Sequence, residues 1–410
     1  MIPLGEVLAR HHRTRGDHPA VIDSRGVTSY REFVERGWSI ANGLLVAGLR
    51  RGEPVAVLGG NRRYSAEVYA GVAAAGGMAA MLNWRWSVPE LVRGIHESGA
   101  QMLLADDEFA SLVDAGRDTG ELGHLRVVVG DAVAALGGHP TRPDVVVAIE
   151  DPNVMLFTGG TTGFSKGVVL THANVMANAL NEIVDTDMTR DDVTLCIAPM
   201  HHSASLLCWF LPHVVLGATT VLQAAFDEAE TVDLMARHRV TNGFLVPTMV
   251  RRLLASGELE RRGLPDFGRL YVGGAAFTMP DKVAVREVWP DVAMYYQYGL
   301  TEAGPIVTRL RPEDMFDPEL DGSIGREFWL NEVTIREAMA GGLGAEVPDG
   351  DVGEICVRGP NVMAGYHGRP EATAEVLVDG WLRTGDAAAR GPRGELWFRD
   401  RYKDVIKSGR

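Results

Sequence analysis

Short apolar runs alternate with helical patterns through most of the chain, and this alternation constrains the fold more than any other feature. Eight runs have the length and composition of short strands: Val55–Leu58, Met102–Ala105, Val127–Val129, Leu195–Ala198, Thr220–Leu222, Gly243–Val246, Leu270–Val272 and Val292–Tyr296. Apolar strands that alternate with helices are typical of parallel, doubly wound layers. The sequence therefore predicts an α/β fold.

The pattern changes after Gly322. Period-two runs such as GEICVRG and GELWFRD, separated by Gly, Pro and Asp turns, favour an antiparallel sheet or small β-barrel. The clearest break is Gly137–Asp144, which predicts a linker, and 410 residues exceed a single core. We therefore predict α/β subdomains over 1–145 and 146–321, a β-barrel subdomain over 322–398, and a terminal segment over 399–410.

Charge and cysteine content limit the classes of partner. A formal net charge of −14 argues against nucleic acid or an anionic membrane surface, since both attract basic proteins. The three cysteines, Cys196, Cys208 and Cys356, lack paired or metal-like spacing. They predict buried thiols in a reducing cytoplasm.

No segment has the pattern of a secretory signal or a membrane span. The first residues contain no apolar core region and predict a short amphipathic helix around Leu4 to Ala9. The apolar stretches Tyr69–Leu82 and Leu206–Leu222 are shorter than the ~20 residues that a spanning helix needs. Both stretches are expected to be buried helices.

The stretch FTGGTTGFSKGV, Phe157–Val168, combines four glycines, three threonines and one lysine. Glycines let the backbone approach an anion closely, while N–H groups, hydroxyls and the Lys166 ammonium can donate to oxygens. The order of Ser165, Lys166 and Gly167 differs from the Gly-Lys-Ser/Thr of a P-loop NTPase. The stretch predicts a polyphosphate-binding loop, and a flexible surface loop is the alternative.

The loop resembles the signature of the adenylate-forming superfamily, except that Ser165 stands where proline is commoner. Further segments match that superfamily in order: THAN (171–174), PMHHS (199–203), VGGAAF (272–277), YGLTEAG (298–304), GSIGR (322–326), GEICVRGPNVMAGY (353–366), DGWLRTGD (379–386) and RDRYKDVIKSG (399–409). The resemblance covers most of the chain. It implies the N-terminal domain of an acyl-CoA synthetase.

In the superfamily, a mobile C-terminal domain follows a hinge and supplies a catalytic lysine. The terminal segment resembles that hinge, with Lys403 at the pivot, and the given sequence ends at Arg410. The resemblance therefore implies that the mobile domain is absent, and that this chain binds ATP and an acid but is weakly active or inactive in thioester formation.

Candidate nucleotide contacts follow from side-chain chemistry in YGLTE and RTGD. Tyr298 can stack on adenine, Thr301 can donate to phosphate, and Glu302 offers the oxygen ligand that Mg²⁺ requires. Asp386 can accept both ribose hydroxyls, and Arg401 can contact ribose and phosphate. The superfamily uses the matching positions of YGLTE, and the aspartate of RTGD, in these roles. The structural alternatives are a core aromatic for Tyr298, a turn residue for Asp386 and a surface ion pair for Arg401.

The resemblance also implies an acyl site. His202 matches a histidine that lies beside the acyl carboxylate and controls the route of CoA, whereas relatives often carry the adenine-binding amide one position before Gln297. Small residues near Gly273 suit a flat ligand or tight strand packing. The full set of predicted site residues is Thr158, Gly159, Gly160, Thr161, Thr162, Gly163, Lys166, His202, Ser203, Leu206, Gly273, Gly274, Ala275, Gln297, Tyr298, Gly299, Thr301, Glu302, Gly304, Asp386 and Arg401.

The implied reaction uses ATP, Mg²⁺ and CoA. A substrate carboxylate attacks the α-phosphorus to give acyl-AMP and pyrophosphate, and a thiol then attacks the acyl carbonyl. The predicted pocket wall is mostly apolar, which favours a hydrophobic monocarboxylic acid, whether fatty, aromatic or polycyclic. The alternatives are an acyl-AMP ligase that loads a carrier protein, and a noncatalytic nucleotide-binding module.

Overall fold

A computed structural model of the chain describes residues 1–158, 165–339 and 341–401. The first part contains α1 (Leu4–Thr14), β1 (Pro19–Asp23), β2 (Gly26–Ser29), α2 (Tyr30–Val46), β3 (Pro54–Leu58), α3 (Arg63–Ala74), β4 (Met78–Met81), α4 (Val88–Ser98), β5 (Met102–Ala105), α5 (Ala110–Asp118), β6 (Arg126–Val129), α6 (Ala132–Leu136), β7 (Pro152–Thr158) and β8 (Lys166–Thr171).

The middle part contains α7 (His172–Asp185), β9 (Val193–Cys196), a π-helix (Ala204–Phe210), α8 (Leu211–Leu216), β10 (Thr219–Leu222), α9 (Glu228–Arg237), β11 (Asn242–Leu245), α10 (Pro247–Ser256), α11 (Glu258–Arg262), β12 (Arg269–Gly273), α12 (Met279–Val288), β13 (Ala293–Gly299), β14 (Ile306–Leu310) and β15 (Arg326–Glu327). The last part contains β16 (Glu332–Arg336), β17 (Val352–Arg358), β18 (Gly365–Tyr366), α13 (Pro370–Val376), β19 (Leu377–Val378), β20 (Trp381–Arg390) and β21 (Leu396–Arg401).

The strands form three sheets. A nine-stranded sheet has the order β15-β14-β13-β12-β11-β9-β10-β1-β2, and a seven-stranded sheet has the order β18-β8-β7-β4-β3-β5-β6. Their central strands are parallel, as the alternation predicts. The third sheet is antiparallel, with the order β16-β17-β20-β19 and β21 beside β20. The predicted α/β fold with a small antiparallel subdomain is confirmed.

Sheet membership does not follow the predicted division near residue 145. β1 and β2 join the nine-stranded sheet, while β7 and β8 return to the seven-stranded sheet that β3 begins. Parallel pairing depends on long crossovers, so strands distant in sequence become neighbours and a linker-like segment need not separate two sheets. The division into subdomains stays a prediction.

All eight predicted strands are present within three residues of their predicted ends, whereas the two apolar stretches are only partly helical. In Tyr69–Leu82 the helix ends at Ala74, and after Gly76, with φ of 74°, the chain continues as β4. In Leu206–Leu222 the helices end at Leu216 and β10 follows. Fully buried strands are continuous apolar runs, so periodicity does not separate them from buried helices. Among the described residues, no helix has the length and hydropathy needed to cross a membrane.

Local sequence fixes several helix starts. Ser29 and Glu32 form a capping box at the start of α2, since each side chain bonds the other residue's backbone N–H. Thr171 and Asn174 form the same arrangement at α7. These caps satisfy backbone donors that a helix leaves free, and they place α7 directly after β8.

A buried ion cluster joins α7 to the nine-stranded sheet. Arg309 on β14 is fully buried, and its guanidinium donates to Glu182 Oε2 at 2.5 Å and Asp185 Oδ2 at 3.0 Å. It also donates to Gln297 Oε1 on β13 at 2.7 Å. A paired and hydrogen-bonded guanidinium can be buried, whereas a solitary charge cannot.

The free energy of unfolding should fall in acid, partly because of His172 at the start of α7. Its Nδ1 accepts from Leu4 N at 3.3 Å and Asn153 Nδ2 at 3.2 Å. Burial lowers the pKa of His172 from 6.5 to about 4. As the pH falls, the unfolded chain therefore protonates His172 before the folded chain does. The contribution of neutral, buried His172 to the free energy of unfolding is complete above pH 6.5 and is lost as the pH falls through about 4.

Urea unfolding at pH values of about 7.5 and about 4.5 should reveal a loss of about 2 to 3 kcal/mol from this group. The His172→Asn variant keeps an acceptor for both donors and should lose that share of the pH dependence. An unchanged pH dependence in this variant would contradict the assignment.

Candidate active site

The predicted site residues of YGLTEAG lie at the carboxyl end of β13, where open α/β sheets bind ligands. The backbone turns sharply there, and a Cβ on Gly299 would approach Pro305 O to 2.2 Å. A Cβ on Gly304 would lie 2.0 Å from Asn361 O. These two glycines are therefore required by packing, whatever ligand they also accommodate.

Tyr298, Asp386 and Arg401 come together from two sheets. Tyr298 Oη donates to Asp386 Oδ2 at 2.7 Å, and Arg401 Nε lies 3.5 Å from Asp386 Oδ1. Burial raises the pKa of Asp386, while the Tyr298 hydroxyl and the Arg401 charge oppose that rise. The phenol thus orients the carboxylate predicted to hold ribose, a link that the sequence does not show.

Glu302 is oriented by Tyr366, a residue that the sequence analysis did not select. Tyr366 Oη donates to Glu302 Oε1 at 3.0 Å, and Lys166 Nζ lies 4.6 Å from the centre of the Tyr366 ring. Tyr366 ends the GPNVMAGY segment, which was recognised as a motif without a chemical role. The contact joins β18 and β8 of the seven-stranded sheet to the end of β13.

The loop before the π-helix contributes Ser203 and two histidines. Ser203 Oγ lies 3.0 Å from Thr301 Oγ1, so these two predicted residues meet. His202 is exposed, and its pKa is lowered by burial of part of the ring and by the charge of Arg85. His202 is therefore neutral at pH 7 and can accept or donate one hydrogen bond.

His201 faces another direction. Its ring is buried, lies 4.4 Å from the His202 ring, and meets the edge of Trp84 at 6.3 Å, measured between ring centres. Burial, followed by His202 and Arg85, lowers the pKa of His201 to about 2. It therefore serves as a neutral aromatic packing residue.

Other predicted residues have structural partners. The amide oxygen of Gln297 accepts from the buried Arg309, and Gln297 is 4% exposed. A Cβ on Gly273 would lie 2.9 Å from Gln297 O, so close strand packing accounts for that glycine. Gly274 and Ala275 are exposed beyond β12, and Leu206 is buried in the π-helix.

The phosphate loop connects two paired strands. Thr158 ends β7 and lies directly opposite Lys166, the first residue of β8. Lys166 itself lies beside the Tyr366 ring, whose hydroxyl bonds Glu302. The remaining predicted loop residues and the hinge residue lie outside the described part of the chain: Gly159, Gly160, Thr161, Thr162, Gly163 and Lys403.

Comparison with known proteins identifies the family. The family model described as AMP-binding enzyme matches residues 8–367. The chain belongs to the AMP-binding enzyme family. As a member, it is 38% identical over 406 residues to a feruloyl-CoA synthase of an Amycolatopsis species, a match that covers 99% of this chain and 80% of the relative.

Two further relatives bear on this AMP-binding family member. A fatty acid–[acyl-carrier-protein] ligase, ScoC, of Streptomyces coeruleorubidus is 32% identical, over 97% of this chain and 76% of the relative. The N-terminal domain of FACL13 from Mycobacterium tuberculosis, solved with an inhibitor, superposes with a TM-score of 0.91 and 26% identity. That match covers 98% of this chain and 100% of the solved domain, so the chain has the size of an N-terminal domain.

The described residues also fit the Mg²⁺ that the resemblance implies. They contain no group of three His, Cys, Asp or Glu side chains placed to hold a metal ion. Mg²⁺ commonly needs only one or two carboxylates, because substrate phosphates and water complete its shell. Glu302, oriented by Tyr366, can supply one such carboxylate.

Proposed function

We propose that this chain binds ATP and a hydrophobic monocarboxylic acid, forms acyl-AMP, and serves thioester formation with CoA. The observation that carries the proposal is the junction of three sheets at the end of β13. Tyr366 bonds Glu302 from the seven-stranded sheet, and Asp386 bonds Tyr298 from the antiparallel sheet. The junction gathers an aromatic ring, hydroxyls, carboxylates and cations suited to an adenine nucleotide.

In the proposed first step, a carboxylate oxygen of the acid bonds to the α-phosphorus while the bond to the departing pyrophosphate breaks. Lys166 and Thr301, with the hydroxyl of Thr158, donate to phosphate oxygens and stabilise their charge. Asp386 accepts the ribose hydroxyls, and Tyr298 covers the adenine. Mg²⁺, held through Glu302, would neutralise phosphate charge.

In the second step, a thiolate sulfur attacks the acyl carbonyl, and AMP leaves with the electron pair of the broken C–O bond. A neutral His202 beside the acyl group can accept a hydrogen bond without adding charge. No protein nucleophile is needed, so positioning provides the catalysis.

A hydrophobic acid fits the packing behind the site. The π-helix buries Leu206 and Trp209, and the Trp209 ring stacks on Tyr271 with centres 4.3 Å apart. The Phe244 ring also stacks against the Trp209 ring, with ring centres 5.5 Å apart. The names of two similar proteins, a feruloyl-CoA synthase and a fatty acid ligase, support an aromatic or fatty acid as the substrate.

A carrier protein is the second candidate acceptor, favoured by the similarity to the ScoC ligase. Three buried, free cysteines support a cytoplasmic, reducing environment for either acceptor. Adding free CoA or a phosphopantetheinyl carrier protein to the preformed acyl adenylate separates the two. If a thioester forms only with the carrier protein, that protein replaces CoA as the proposed acceptor.

Binding of nonhydrolysable acyl-sulfamoyl adenosines tests the proposal directly. We expect analogues with aromatic or long acyl groups to raise the free energy of unfolding by about 2.7 kcal/mol at a hundredfold excess over Kd. NADH is the control for nonspecific nucleotide binding. If no acyl analogue raises the melting temperature, the proposed function is contradicted.

A further inference from the structure

A second cleft, with a volume of about 760 Å³, opens at the carboxyl ends of β3, β5 and β6. It is lined by Tyr64 and Glu67 after β3, Asp106 after β5, and Asp131 after β6. We name it the switch-point cleft. The chain leaves β3 toward β4 on one side and leaves β5 toward β6 on the other, and such reversals in open α/β sheets create ligand crevices.

Negative charge exceeds positive charge in the switch-point cleft. Three arginines line it, and each already has a partner. Arg36 Nε pairs with Glu67 Oε1 at 2.8 Å, and Arg25 Nη2 lies 3.3 Å from Asp107 Oδ1 and 3.7 Å from Asp106 Oδ1. Arg63 donates to the Thr28 hydroxyl. The lining contains twice as many carboxylates: Glu32, Glu35, Glu67, Asp106, Asp107 and Asp131.

Among the described residues, two buried polar atoms in the cleft wall have neither a hydrogen-bond partner nor an ion-pair partner. Tyr64 is 5% exposed and its hydroxyl makes no hydrogen bond, and Asp106 is 1% exposed with Oδ2 unpartnered. A buried polar atom without a partner costs about 1 to 3 kcal/mol. Burial is the main reason that the pKa of Asp106 rises to about 6. A cationic donor bound in the cleft could form a hydrogen bond with either atom.

The chemistry favours an organic cation over a metal ion. In the described part of the chain, no three His, Cys, Asp or Glu side chains converge on a metal position. An ammonium group carries three donors on one charge and can reach two carboxylates and one hydroxyl. The cleft is large enough for a short alkyl chain as well as the ammonium.

We propose that the switch-point cleft binds a small primary amine, with its ammonium held by Asp106, Glu67 and the Tyr64 hydroxyl. This site shares no residue with the candidate active site and does not depend on the proposed function. The ligand class is a short aliphatic amine or diamine.

Isothermal titration calorimetry with 1,4-diaminobutane, in about 150 mM NaCl to screen the general surface charge, tests this proposal. Tyr64→Phe removes only a hydroxyl that has no partner in the described part of the chain, so the melting temperature of this variant should be unchanged. Its affinity for the diamine should fall about tenfold, since a hydrogen bond to a charged group is lost. Asp106→Asn should weaken binding further.

Asp114→Asn is the matched control, because Asp114 is an exposed carboxylate on α5 outside the cleft lining. It should bind the diamine as the unchanged protein does, and 1,4-butanediol should not bind. Absence of diamine binding, or an equal loss in Asp114→Asn, or equal binding of the diol, would overturn the proposal. The acyl-adenosine titration is independent, so each proposal can fail alone.

Discussion

Replacing Asp386 with alanine should weaken binding of an acyl-sulfamoyl adenosine by roughly a thousandfold, which corresponds to about 4 kcal/mol. Asp386 is the carboxylate proposed to accept both ribose hydroxyls, and each hydrogen bond to a charged group contributes about 1.5 to 3 kcal/mol. Tyr298 already orients Asp386 through its 2.7 Å hydrogen bond, so little ordering remains for the ligand to bring about. Calorimetric titration measures the change.

Two further variants determine whether the ribose contact is the cause. Tyr298→Phe removes the orienting hydroxyl but keeps the ring, and it should weaken binding by less than about tenfold. Asp351→Ala removes an exposed carboxylate at the start of the same antiparallel sheet and should bind as the unchanged protein does. Equal affinity in Asp386→Ala and the unchanged protein would remove Asp386 from the site.

The Arg309→Met variant should lose about 3 to 5 kcal/mol of unfolding free energy. Methionine has a similar length, but it leaves Glu182 without its cation and leaves Asp185 paired with Arg311 alone. Burial already raises the pKa of Glu182, and Arg309 is the largest influence that opposes the rise. Urea unfolding at neutral pH measures the loss.

An exposed ion pair provides the comparison. Arg358 pairs with Glu332 across the antiparallel sheet, and both side chains are largely exposed. Arg358→Met should change the unfolding free energy by less than about 1 kcal/mol. Adding Glu182→Gln to Arg309→Met should recover part of the loss, because one uncompensated charge disappears. A loss of similar size in both single variants would contradict a special role for burial.

Sequence patterns located eight strands of the two large sheets, because a short apolar run bounded by turns can form few other structures. They failed inside Tyr69–Leu82, where the last turns of α3 and all of β4 are buried and apolar. The sequence also did not place β1 and β2 in the nine-stranded sheet. Strand order depends on contacts between distant segments, and no local pattern encodes them.

For the candidate site, residue type and motif spacing selected Tyr298, Glu302 and Asp386, whose functional roles remain proposals. Only the tertiary structure identified Tyr366. Its role depends on a hydrogen bond to Glu302, which follows a strand of a different sheet. The tertiary structure also showed that Gln297 bonds a buried arginine, while Gly299 and Gly304 are small because neighbouring backbone leaves no space.

The sequence by itself determined the class of fold, because strands and helices follow from local periodicity, and its motifs indicated the family and the proposed nucleotide-binding groups through their resemblance to the superfamily. The tertiary structure decided which groups meet, how Asp386 and Glu302 are oriented, and where the switch-point cleft opens. Those features arise when segments far apart in the chain pack together, and their distances and burial are properties of the packed molecule alone.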